Sequence, residues 1–92
     1  MNELKPGQLV ISKAGRDKGK WYVVYKVEGP WVYIVDGKTR RLEKPKKKNL
    51  RHLQPTHKEI FPDGHFPLKY SNHQLYHDLQ KFLEELKKEN DQ

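Results

Sequence analysis

A chain of 92 residues, with 34% of them charged and an equal 34% hydrophobic, has room for one small domain, with or without an appended element. Its formal net charge of +7 and isoelectric point near 9.6 point to a polyanion as partner, since phosphates reward clustered Lys and Arg through counterion release. The absence of cysteine excludes disulfides, thiolate metal sites and Cys nucleophiles. No apolar leader stands in Met1–Pro6 and no run reaches transmembrane length, so a cytoplasmic protein without a membrane partner is expected.

The positive charge is unevenly placed. Residues 1–56 hold 14 Lys and Arg against 5 acidic residues, a net +9, whereas residues 57–92 hold 5 against 7, a net −2. The first part reads as β. Leu9-Val10-Ile11 lies between the turn signals Pro6-Gly7 and Gly15, and Trp21–Val27 is dense in β-branched and aromatic residues. Gly29-Pro30 interrupts, and Trp31–Val35 is a third strand. Asp36-Gly37 is the sequence of a type I′ hairpin turn, which would set Tyr33 opposite Arg40 and Val32 opposite Arg41, with Lys38–Leu42 as the fourth strand. Leu50–Leu53 is a fifth, ended by Gln54-Pro55. Short strands with tight turns suggest a small SH3-like β-barrel over residues 1–56, a mainly β fold that also hides sheet edges.

Residues 57–70, with Pro62, Gly64 and Pro67, read as an irregular segment; Ile60, Phe61, Phe66 and Leu68 favour wrapping the barrel over free disorder. An amphipathic α-helix is expected over residues 71–90. Ser71 and Gln74 form a capping box, Tyr70 can staple against Leu75, and Leu75, Leu79, Phe82, Leu83 and Leu86 make a stripe at helical spacing. That stripe must pack on the barrel or on another chain, a protein partner or a second copy. The helix is mixed in charge, which argues against a membrane surface.

Three features carry chemistry. The segment Gly15-Arg16-Asp17-Lys18-Gly19-Lys20, between two strands, is a basic loop bracketed by glycines that let the chain turn tightly and let a phosphate approach the backbone. Lys13, Arg16, Lys18 and Lys20 stand around it. Lys44-Pro45-Lys46-Lys47-Lys48 is unsuited to a strand interior, because Pro45 lacks a donor and like charges adjoin; with Arg40, Arg41 and Arg51 it can form one positive edge. Trp31 and Tyr33 share a strand face, and if Val32 and Ile34 are core they point outward, where aromatic rings stack unpaired bases. The opposite assignment puts all of these aromatics in the core. His73 and His77 have the spacing of a zinc pair but lack further ligands, so no metal is expected. The chain has no Walker loop, dinucleotide fingerprint or Ser-His-Asp set, hence neither enzyme nor cofactor is expected.

The stretch Pro6–Val27, with Gly19 at the signature glycine and Gly15 opening the loop, resembles a KOW motif, found in ribosomal proteins and transcription elongation factors. Val35-Asp36-Gly37, Arg40-Arg41 and Lys48-Asn49-Leu50-Arg51-His52-Leu53-Gln54-Pro55-Thr56 extend the resemblance to large-subunit KOW proteins of archaea and eukaryotes, of the L-fourteen-e type. Tyr22 stands where the elongation-factor version usually has a second glycine, which favours the ribosomal type. The resemblance covers about the first 56 residues and implies an RNA-binding protein of the ribosome, contacting structured ribosomal RNA through its basic loops. An SH3-like protein-interaction module and an accessory transcription factor are the alternatives.

Overall fold

The computed structural model describes residues 4–90; the opening residues of the Met1–Pro6 stretch lie outside them. Five strands, β1 (Gln8–Ser12), β2 (Trp21–Glu28), β3 (Trp31–Val35), β4 (Lys46–Asn49) and β5 (Leu53–Glu59), form one antiparallel sheet in the order β4-β3-β2-β1-β5. A single 3-10 turn, Leu50–His52, joins β4 to β5, and helix α1 spans Asn72–Asn90. The fold is therefore mainly β with one C-terminal helix. The sheet is open, since its outer strands β4 and β5 pair only inward. Irregularities between Val24 and Lys26 and between Gln8 and Val10 add twist and bend the sheet.

Strand alternation gives the sheet two apolar faces. Val10, Tyr22, Val24, Val32, Ile34 and Leu53 form a core on one side, with Leu4 and Leu50 against it. Leu9, Val23 and Val35 point the other way, where Leu75 and Leu79 of α1 cover them. Trp21, Ile60, Phe66, Tyr70, Phe82 and Leu83 extend that second core. Its flank is an edge-to-face cluster in which Phe66 packs on Tyr25, Phe61 and Tyr70 at centroid distances of 5.1, 4.8 and 5.9 Å. Of the segment expected to be irregular, residues 57–59 belong to β5, Ile60, Phe66 and Tyr70 pack against the second core, and Leu68 stands almost fully exposed.

The helix stripe packs on the sheet from Leu75 to Leu83, whereas Leu86 belongs to neither core cluster. Leu75 and Leu79 are fully buried against the sheet, so these two side chains are not available to a protein partner or a second copy. Ser71 caps α1 by accepting from the Gln74 amide at 3.0 Å, but the Gln74 side chain donates to Asp78 instead of closing the capping box. Among the described residues, no helix is long and apolar enough to cross a membrane.

Three element assignments differ from the sequence expectation. Asp36-Gly37 does not close a two-residue turn. The Asp36 carboxylate accepts from the amides of Lys38 and Arg40 and from the Thr39 hydroxyl, and so organises an irregular loop. Tyr33 consequently pairs with Lys47 and Val32 with Lys48, not with Arg40 and Arg41. The lysine run, read as unsuited to a strand, is β4 itself: an edge strand bonds on one side only and tolerates Lys, and Pro45 falls just before its start. Finally, Leu50–His52 is a 3-10 turn capped by the Asn49 side chain, and the fifth strand begins at Leu53 and runs past residue 56 to Glu59.

Candidate nucleic-acid interface

The loop between β1 and β2 folds on its glycines. Gly15 and Gly19 have φ of 85° and 89°, a region that side-chain-bearing residues avoid. The turns close through Lys18 N–H to Gly15 C=O, Lys20 N–H to Asp17 C=O and Gly19 N–H to Ser12 C=O. What fixes the loop to the sheet is an ion pair from outside it. Lys48, on β4, places its ammonium 3.0 Å from Asp17 Oδ1, with the two side chains only 10% and 12% exposed. The same ammonium donates to Ser12 Oγ and Ala14 C=O, each at 2.9 Å, so all three of its protons are engaged.

Asp17 also accepts from the Ser12 hydroxyl at 2.8 Å and from Tyr22 at 3.4 Å. Burial by itself would raise the Asp17 carboxyl, but the hydrogen bonds from Ser12 and Lys48 and the Lys48 charge outweigh it and hold the group below its ordinary value. The Tyr22 phenol moves up, through burial first and then through the charges of Asp17 and Asp36, against an opposing pull from Arg40. It stays a neutral donor at the floor of the site.

Above this frame lies a cleft of about 590 Å³. Gly15, Arg16, Asp17, Lys20, Tyr22, Thr39, Arg40, Lys46, Lys48 and His52 line it, with Ala14. A second cleft of about 520 Å³ shares Thr39, Arg40 and Lys46 and continues past Arg41, Lys44, Pro45 and Lys47. The two make one groove, which brings together eight of the expected cations: Arg16, Lys20, Arg40, Arg41, Lys44, Lys46, Lys47 and Lys48.

Those cations are not equivalent. Lys48 is neutralised by Asp17, and Arg41 pairs with Glu43 at 2.7 Å on the exposed rim. Glu43, bonded first by Arg41 and then by Asn72, is drawn down to about 2. Lys47 lies over the Trp31 ring at 4.6 Å, a cation–π contact. Arg16, Lys20, Arg40, Lys44, Lys46 and Lys47 have no carboxylate within ion-pair distance among the described residues, and four of them, Arg16, Lys20, Arg40 and Lys46, line the first cleft. Arg40 stands out further: its Nε is buried and meets no hydrogen-bond partner.

The remaining expected residues lie elsewhere. Lys13 and Lys18 are exposed on the loop outside the groove, Gly19 closes the loop without lining it, and Arg51 is exposed on the 3-10 turn. Trp31 and Tyr33 do face away from the Val32/Ile34 core, as that assignment requires; Trp31 is 40% exposed, and Lys26 covers Tyr33 at 4.7 Å. His73 and His77 are exposed on α1. Sequence reasoning missed Asp17, Tyr22 and Thr39 as lining residues. For Asp17 a signal existed: it is the lone acid in a loop otherwise full of cations.

A scan against known protein families finds none whose model matches this chain.

Proposed function

We propose that the protein binds structured RNA through the groove between the β1–β2 loop and β4, in association with the ribosome. The carrying observation is that Arg16, Lys20, Arg40 and Lys46 converge on one cleft without carboxylate partners. Cations left unpaired on a rigid frame supply a strong field for a phosphate backbone, and a sheet-borne groove reads shape more than base sequence. The ribosomal address comes from the resemblance of the first 56 residues to KOW proteins of the L-fourteen-e type. The helix stripe, the surface on which a protein-interaction module would depend, has Leu75 and Leu79 turned into the sheet.

A salt titration of binding to structured ribosomal RNA fragments tests the reading. If the four unpaired cations lining the first cleft each neutralise a phosphate, affinity falls on the order of 100-fold between about 50 and about 200 mM salt. An affinity indifferent to salt would sink the proposal. Sedimentation of the tagged protein should show co-migration with large ribosomal subunits; co-purification with RNA polymerase instead would favour an accessory transcription factor.

A further inference from the structure

We infer that the groove holds one phosphate group at a defined seat anchored by Arg40, with Arg16, Lys20 and Lys46 supplying the surrounding charge. The inference rests on the RNA reading in taking an RNA phosphodiester as the occupant, although a free phosphate offers the same chemistry.

Arg40 differs from every other cation of the groove in how it is held. Its amide donates to Asp36 Oδ1 at 2.8 Å, and its carbonyl accepts from the amides of Asp36 and Gly37 at 2.8 and 3.1 Å. The backbone from which the side chain springs is therefore fixed. Arg40 lines both halves of the groove, and no carboxylate among the described residues pairs with its guanidinium. Its Nε–H is withdrawn from solvent and unmet. An unmet buried donor is a cost that bulk water does not relieve. An anionic oxygen entering the cleft and drawing the guanidinium toward it relieves that cost, and the planar fork then binds two oxygens of one phosphate. Arg41, one residue on, is the natural contrast: it reaches outward to Glu43 on the exposed rim.

The opposite wall is equally fixed. Lys48 and Asp17 lock the loop that carries Arg16 and Lys20, so the backbone from which these charges spring is in place before a ligand arrives. A preorganised site of this kind gains affinity because little ordering is left to do.

The test combines two readouts on the full chain. The Arg Nε–H resonances are followed by NMR during titration with inorganic phosphate and, separately, with a structured ribosomal RNA hairpin; RNA affinity is then compared for Arg40→Lys and Arg41→Lys. The expected result is a shift of the Arg40 resonance with both ligands. Arg40→Lys, which keeps the charge and removes the fork, should weaken RNA binding about tenfold, against less than about twofold for Arg41→Lys. Equal losses for the two variants, with no Arg40 shift but with salt-dependent binding intact, overturn the seat and leave the RNA reading standing. A shift with inorganic phosphate and no RNA binding overturns the RNA occupant and supports a free-phosphate site. Silence of the Arg40 resonance with both ligands overturns the inference whatever the variants do.

Discussion

The two faces of the sheet solve opposite problems. On the helix side, Leu9, Val23 and Val35 are sealed by Leu75 and Leu79, and the aromatic cluster around Phe66 closes the flank. Polar groups there are matched: the Tyr70 hydroxyl bonds Asp78, and Asn72 ties the Leu42 amide and the Glu43 carboxylate to the start of the helix. At the groove, the buried ion pair Lys48–Asp17 holds a wall in place while four cations lining the same cleft, Arg16, Lys20, Arg40 and Lys46, have no carboxylate partner among the described residues. One region is completed by its own chain. The other leaves cations without carboxylate partners among the described residues. Stability should therefore depend chiefly on the first region and on the Lys48 anchor, and ligand affinity on the second.

The largest expected effect tests how tightly the helix side is closed. Gly37 has φ of 83°, and a Cβ there would run into the Asn72 carbonyl and lie 2.8 Å from the Tyr76 amide, both in the helix backbone. Gly37→Ala should cost about 4 kcal/mol, through left-handed strain together with displacement of the helix start, enough to unfold much of a domain this small. Thermal denaturation checks it; a loss under 1 kcal/mol would mean that the helix is not docked as described.

Next comes the anchor. Lys48→Met leaves Asp17 buried without its cation and should destabilise by about 3 kcal/mol in chemical denaturation. Adding Asp17→Asn should recover part of that loss, and strict additivity of the two would refute the pairing. The same carboxylate sets an acid limit. Its native pKa lies below its unfolded value, so the unfolded chain takes up the proton first. The wild type's advantage over Asp17→Asn should be complete above about pH 4 and shrink as the pH falls through the lowered native value. Denaturation at several acidic pH values measures that gap; a gap that widens toward acid would reverse the sign and the argument.

The smallest effect isolates backbone geometry. Gly19 also has positive φ, but an added Cβ would meet nothing within 4 Å. Gly19→Ala should cost only about 1–2 kcal/mol, from the left-handed conformation alone. A loss as large as that for Gly37→Ala would show that the loop is packed more closely than the structure describes.

How much of this was written in the sequence depends on the range over which each feature is decided. Strands β1, β2 and β3, the glycine-bracketed loop and the capped helix rest on local periodicity and turn chemistry, and residues within a few positions of one another suffice to specify them. β4 was illegible because its local composition, three lysines and an asparagine, argues against a strand; only pairing with β3 makes it one. Asp36-Gly37 misled for a related reason: the Asp36 side chain competes for the loop amides and stabilises a longer excursion than the two-residue turn. At the groove, the charge of Arg16, Lys20, Arg40 and Lys46 could be foreseen from clustering. The conversion of Lys48 from ligand contact to structural anchor could not, since its partner Asp17 lies 31 positions away.

The late cover over Leu9, Val23 and Val35 also fixes an order of events during synthesis. These three residues are made early, whereas Leu75 follows Val35 by about 40 positions, a delay on the order of a few seconds at ~5–20 residues per second. β1–β2–β3 can pair in that interval as a local meander, but one apolar face stays wet until α1 arrives. The core around Val10 and Tyr22, by contrast, needs only β5 and Leu53 to be complete. The groove side of the molecule can therefore take shape while the helix side is still open. During that time the nascent chain is most exposed to aggregation, and a chaperone holding the uncovered strip would guard it there.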